Sequence, residues 1–317
     1  MFNRIKKIFY RSKSDSPFSV QTESSRSADE IVIDTRLGRF RLENFAMGGV
    51  CEVKKGIPLD NQDCTLAVKM IREKWYENPA VRKQFSQESQ IVKELKHPML
   101  PHYVSRGIAN GKPFYAYKLI DGIPLIRLWQ DQELLHPKLM RQLAPEMVKQ
   151  LLEQLAYLHN PPRTIIHGDI SSENIILDKT RQLHLVDFGC AHFQSIADKD
   201  SFQWLAKPSF ISPEQARGQA WDHRSDLYQA GILFYELISG KRWNRGENKR
   251  EKVLYAASST AIHNNFLLEY TDANTSKLIA HMLDPNPDTR LPSAARGVKL
   301  IEALLMIQEK NKEKNQI

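Results

Sequence analysis

Apolar positions change their spacing along this chain. From Ile31 the pattern turns to strands: short runs of Val, Ile, Leu, Phe and Tyr broken by polar turns, T-L-A-V-K-M among them. After Tyr103 a strand pair brackets Asn110-Gly111, a dipeptide that favours a tight hairpin. One helix, carrying Glu88, follows T-L-A-V-K-M. Beyond Asp121-Gly122 the spacing lengthens to three and four. Leu139 to His159 reads as a long helix, within which Pro145 is expected to mark a helix start rather than a kink. D-H-R-S-D-L-Y-Q-A-G-I-L-F-Y-E-L-I-S-G begins amphipathic and becomes wholly apolar, and the segments after it read as amphipathic helices to about Lys310.

One stretch breaks this alternation with polar groups. In I-I-H-G-D-I-S-S-E-N-I-I-L-D-K-T-R-Q-L-H-L-V-D-F-G, residues 165–189, His167, Asp169 and Asn174 precede a short hairpin, and Asp187-Phe188-Gly189 follow it. Carboxylate and amide oxygens suit Mg²⁺, which prefers one or two carboxylates together with substrate phosphates. The remaining carboxylate is placed to receive a hydroxyl proton.

Composition sets limits. The 317 residues form one large domain or two, and 41% hydrophobic with 26% charged residues describes an ordinary globular protein. No run of eighteen apolar residues predicts a membrane span, and no secretory leader is evident. Cys51, Cys64 and Cys190 make no CxxC pair, which fits a reduced cytoplasm. Of the net charge of +8, five units lie before the first acidic residue, on Arg4, Lys6, Lys7, Arg11 and Lys13, leaving +3 for the remainder. A broad nucleic-acid-binding face is therefore not expected. Residues 1–13 place Phe2, Ile5, Ile8 and Phe9 at helical spacing among these bases, a pattern suited to an anionic membrane surface or a partner, the alternative being a frayed basic tail. Ser14 to Glu30 reads as a disordered Ser-rich linker.

H-G-D-I-S-S-E-N followed by D-F-G resembles the catalytic and metal-binding loops of the protein kinases, and S-P-E-Q resembles the eukaryotic-type kinases of bacteria. The resemblance implies an α+β, bilobal fold: a small β-rich lobe over 31–121, a larger helical lobe over 122–310 and a frayed tail over 311–317. It implies ATP and Mg²⁺ as cofactors and protein Ser/Thr hydroxyls as acceptors. Asp169 would accept the hydroxyl proton, with Asn174 and Asp187 holding metal and Lys69, paired with Glu88, holding phosphates. Ala46, Gly48, Gly49 and Val53 would cover the nucleotide. Ala67, Tyr117, Lys118, Leu119 and Ile176 would line the adenine site, with Tyr117 as gatekeeper. Glu214 is expected to pair with Arg290, and Asp226 to brace the catalytic loop.

Several positions depart from the family pattern. Ala46 and Cys51 replace the outer glycines of G-x-G-x-x-G, for which a raised KM for ATP is expected. Gly168 replaces the arginine that answers a phosphorylated activation loop. Ser171 stands where a lysine is usual and Lys207 where a threonine is, and the Lys207 ammonium is expected to fill the space at Ser171. Two rival readings are a small-molecule phosphotransferase, favoured by H-G-D-x4-N, and a catalytically silent binding module, favoured by Ala46, Cys51 and Ser171.

Overall fold

The structure is a computed structural model that describes residues 31–60, 63–130, 137–194 and 207–314, with side chains to 310. The expected basic tail and linker, and Ser195 and Ser201 of the activation segment, lie outside the described residues. So does the C-terminal tail, apart from the backbone of 311–314. The chain divides into two compact units, the first ending at Gly122 and the second beginning at Ile123.

The first unit is an antiparallel six-stranded sheet with one helix. Its strands are β1 (Val32–Thr35), β2 (Gly38–Met47), β3 (Cys51–Pro58), β4 (Leu66–Ile71), β5 (Tyr103–Ala109) and β6 (Lys112–Lys118), in the order β1-β2-β3-β4-β6-β5. β4 is buried at all six positions, as expected of a strand flanked by neighbours on both edges. Ile33, Phe40, Leu66, Val68, Met70, Val104, Phe114 and Ala116 form its core. Asn110 and Gly111 both adopt positive φ, the backbone that a two-residue hairpin turn requires.

Helix α1 (Pro79–Glu94) starts at Asn78, whose side chain accepts from the Ala80 and Val81 amides, with Pro79 as its first residue. Its buried residues Phe85, Glu88, Ser89 and Val92 recur every three or four positions. The helical repeat therefore carries one charged residue, Glu88, into the interior.

The second unit is mainly helical. β7 (Gly122–Pro124) and α2 (Arg127–Gln130) lead to α3 (Pro137–Leu158). After α3 come the short strands β8 (Ile165–Ile166), β9 (Ile175–Asp178), β10 (Leu183–Leu185) and β11 (His192–Phe193). α4 (Pro213–Ala216), α5 (His223–Ser239), α6 (Lys249–Ala257), α7 (Ala273–Met282) and α8 (Ala294–Lys314) complete it. α5 is buried at every position from Ser225 to Ser239, so it forms the axis of this unit. The edge of β10 is closed by α3: Gln154 donates to Leu183 O at 2.8 Å and accepts from Leu185 N at 2.9 Å.

Pro145 corrects one expectation. It lies inside α3, not at its start. Met140, Ala144, Met147, Val148 and Leu151 continue one buried face through it, and that packing outweighs the single backbone bond proline forfeits.

Candidate active site

In the first unit, Lys69 sits at the centre of β4, only 7% exposed, and its ammonium meets Glu88 Oε1 at 2.6 Å. The same oxygen accepts from Tyr115 Oη at 2.7 Å, and the Tyr115 ring packs against Phe85 of α1. Burial beside Glu88 holds the Tyr115 phenol well above its ordinary pKa, so it stays a donor. Tyr115 was missed in the sequence. Its signal is a tyrosine within the buried run F-Y-A, where a hydroxyl requires a partner.

The turn between β2 and β3 is tight. Gly48 N donates to Cys51 O at 2.9 Å, and a Cβ on Gly48 would lie 3.0 Å from that oxygen. Ala46 pairs with Val53 just after a bulge in β2. Ala67 is buried, Tyr117 half-buried and Lys118 exposed. The amides of Lys118 and Leu119 are bonded to His102 O and Thr65 O, which leaves their carbonyls as the backbone groups they can offer.

In the second unit the loop that carries His167, Asp169 and Asn174 is held from α5. The Asp226 carboxylate, fully buried, accepts from His167 N at 2.9 Å, Gly168 N at 2.7 Å and His159 Nε2 at 2.9 Å. One helical turn on, Gln229 accepts from Ile170 N at 2.7 Å and donates to Gly168 O at 3.0 Å. The role of Gln229 was not read from the sequence, although two polar residues three apart in an apolar helix are its signature. His167 is itself buried, which pushes its pKa down. Its neutral ring accepts from Asp169 N at 3.3 Å and meets Phe188 edge-on at 4.8 Å.

This loop presents Asp169. Asn174 Nδ2 donates to its Oδ2 at 2.7 Å, and Lys207 N donates to its Oδ1 at 3.1 Å. Burial, with Asp187 adding its negative charge, raises the Asp169 carboxyl to about 6 against the pull of Lys207. Lys207 Nζ lies 2.9 Å from Ser171 Oγ, 2.9 Å from Asn174 Oδ1, 2.8 Å from Glu173 and 3.8 Å from Asp169 Oδ2. A cation thus stands beside the buried carboxylate, and Glu173 is a partner that the sequence reading did not assign.

The hairpin β9–β10 brings the oxygen donors to one end. Leu185 pairs with Ile175 and Val186 N donates to Asn174 O at 2.9 Å, so Asn174 and Asp187 leave the ladder together. Asp187 is exposed, has φ 62° and accepts from Gly189 N at 3.2 Å. An aspartate in the left-handed region is a local strain characteristic of functional turns. The donor set, one carboxylate and one amide oxygen, fits a hard divalent cation. Ile176, half-buried, lies one residue into β9.

Below the loop, Glu214 of α4 and Arg290 form a bidentate pair at 2.7 and 2.8 Å, buried on both sides. Ser225 Oγ also donates to Glu214, at 2.5 Å. Gly168 has φ 74°, and a Cβ there would lie 2.9 Å from the Trp221 ring, so that ring fills the space beside the loop.

Comparison with known proteins supplies the family. The family model for the protein kinase domain matches residues 42–299. The chain belongs to the protein kinase domain family. It is similar to the serine/threonine-protein kinase pkn2 of Myxococcus xanthus, 28% identical over 90% of this chain and 31% of that protein. Similarity extends to the serine/threonine-protein kinase PknB of Mycobacterium tuberculosis, 27% identical over 80% of this chain and 40% of that protein. A probable serine/threonine-protein kinase of Streptomyces coelicolor is 33% identical over 55% of this chain. The chain thus spans about a third of the length of the curated relatives it matches. ATP and a divalent metal are the cofactors this family uses.

Proposed function

We propose that this chain is an ATP-dependent protein kinase that transfers the γ-phosphoryl group to Ser or Thr hydroxyls of protein substrates. The observation that carries the reading is the buried Asp169 carboxylate, fixed by Asn174 Nδ2 and Lys207 N with an ammonium at its side. A carboxyl near 6 is ionised at neutral pH yet basic enough to take a hydroxyl proton, a contribution of roughly 10²–10⁴-fold. Lys69, fixed by Glu88, orients the phosphates of ATP. Asn174 and Asp187 hold Mg²⁺, which when bound neutralises phosphate charge. The peptide carrying the acceptor docks on the segment that Glu214 and Arg290 anchor. The proposed reaction is assigned to the cytoplasm on the ground that Cys51, Cys64 and Cys190 make no CxxC pair. Residues 1–13 supply a contact to an anionic membrane surface or a partner.

The test is incubation with labelled ATP and Mg²⁺, alone and with a generic protein substrate, beside Asp187→Ala. Label incorporated by the parent and lost in the variant is expected; equal incorporation by both refutes the assignment. One observation favours a rival, a module that binds nucleotide and transfers nothing: Lys207 Nζ already occupies Asn174 Oδ1, an oxygen the metal needs. Thermal stabilisation by ATP without label transfer to any substrate would decide for that module.

A further inference from the structure

Three successive carbonyls at the β2–β3 turn point the same way and are all captured. Arg72 Nη1 donates to Gly48 O at 2.9 Å and Gly49 O at 3.3 Å, Trp75 Nε1 donates to Gly49 O at 3.0 Å, and Arg72 N donates to Val50 O at 3.0 Å. The donors come from the segment after β4, a single 3₁₀ turn at Glu73–Trp75. That turn is anchored in its own right. Glu73 pairs with Lys112, Tyr76 Oη donates to Gly111 O at 3.1 Å, and Asn78 N donates to Trp75 O at 3.0 Å.

A trans peptide sets each N–H opposite the carbonyl before it, and the one cis bond among the described residues is Pro161-Pro162. With the carbonyls of Gly48 and Gly49 turned towards Arg72 and Trp75, the amides of Gly49 and Val50 face the other way. Among the described residues neither donates a hydrogen bond. Successive free amides on one side of a turn are a nest for an anion.

We propose that Arg72 and Trp75 are positioning residues that latch the turn by its carbonyls and so hold the Gly49 and Val50 amides ready for a nucleotide phosphate. The latch does the work of the glycines replaced by Ala46 and Cys51. The proposal rests on the nucleotide reading above and deepens it. It also ties the turn to α1, since Trp75 O receives the amide of the residue that caps the helix bearing Glu88.

The experiment compares the full chain with Trp75→Phe, which removes a donor and keeps a ring, Arg72→Ala and Arg72→Lys. Dissociation constants are measured for the β,γ-imido analogue of ATP and for adenosine, with hydrogen exchange at the Gly48 amide without ligand. Trp75→Phe and Arg72→Ala should each weaken the triphosphate roughly three- to tenfold, the worth of one or two hydrogen bonds, while adenosine stays within about twofold. Gly48 exchange should quicken in both. Unchanged exchange, or adenosine weakened as much as the triphosphate, overturns the latch. So does full rescue by Arg72→Lys beside an unaffected Trp75→Phe, which assigns Arg72 a simple charge effect. If the parent binds neither ligand, the nucleotide reading falls, and the exchange data alone then report whether the latch exists.

Discussion

Removing the Lys207 charge is the most direct perturbation of the site. At 3.8 Å from the Asp169 carboxylate and an effective dielectric near 20, the ammonium interacts by about 4 kcal/mol, an upper value because its side chain is 29% exposed. The same charge faces the phosphoryl oxygens in the proposed reaction, where loss of one preorganised stabiliser typically costs about 10²–10³ in kcat. Lys207→Met should therefore lower kcat by roughly that factor while leaving the KM for ATP much closer to its starting value. A second signature separates charge from shape. Lys207 holds the Asp169 carboxyl down against burial, so its loss moves that group above about 6. Asp169 must be ionised to accept a proton, and the acid limb of kcat against pH then moves to higher pH.

The complementary exchange Ser171→Lys with Lys207→Met puts the cation back from the other side of their 2.9 Å contact. Ser171→Lys alone sets two ammonium groups together and should impair activity, so recovery in the double variant measures a coupling that neither single change shows. Phosphoryl transfer by Lys207→Met at the parent rate, with an unmoved pH limb, would refute the assignment.

Asp169→Asn should abolish transfer yet raise thermal stability at pH 7. Between pH 3.8 and about 6 the folded state holds the Asp169 proton more tightly than the unfolded chain, so ionisation costs stability as pH rises, on the order of 3 kcal/mol above that window. A lower melting temperature at pH 7 would refute it. Glu214→Gln should destabilise by about 3–5 kcal/mol, because it leaves the Arg290 guanidinium buried without its counter-charge. Glu214 and Asp226 both sit below their ordinary values of 4.5 and 3.8, so the stability they add is present above those values and lost as pH falls through their lowered ones. Denaturant melts of the Asp169→Asn variant between pH 3 and 7, free of the opposing Asp169 effect, should show this loss, and a flat curve would contradict it. The double variant Ser195→Ala, Ser201→Ala should keep its activity, and complete inactivity would show that a phosphate there is required after all. Gly168→Arg should cost at least about 1–2 kcal/mol from its left-handed backbone alone, read as a drop of several degrees in melting temperature.

The sequence made the skeleton of the site legible because its chemistry is written in contiguous motifs. H-G-D-x4-N and D-F-G are joined by a hairpin short enough to read, and that hairpin delivers Asn174 and Asp187 to one end. Lys69 and Glu88 were legible by strand and helix position. What stayed hidden were side chains whose role exists only in three dimensions. Tyr115 looks like any strand aromatic until Glu88 Oε1 is found 2.7 Å from its hydroxyl. Arg72 and Trp75 act on a turn more than twenty residues earlier. Pro145 misled because local propensity is a weak prior against a helix face packed along its whole length.

Gly168 shows how these parts depend on one another. Its positive φ is stabilised from beneath by Asp226 at its own amide and by Gln229 at its carbonyl and at the next but one amide, all on the buried helix α5. None of these groups reaches water, so each would be left unsatisfied if the loop moved, and each such loss costs about 1–3 kcal/mol. The backbone that carries Asp169 is thus fixed by the packing of α5, which forms when this unit folds. In many kinases an arginine at this position waits for a phosphate to set the loop. Here a glycine with the Trp221 ring 2.9 Å from where its Cβ would stand leaves no room for that cation, and α5 already does the setting. Activity independent of activation-segment phosphorylation is the outcome this exchange predicts: the loop's order is built into the interior instead of being supplied by a modification.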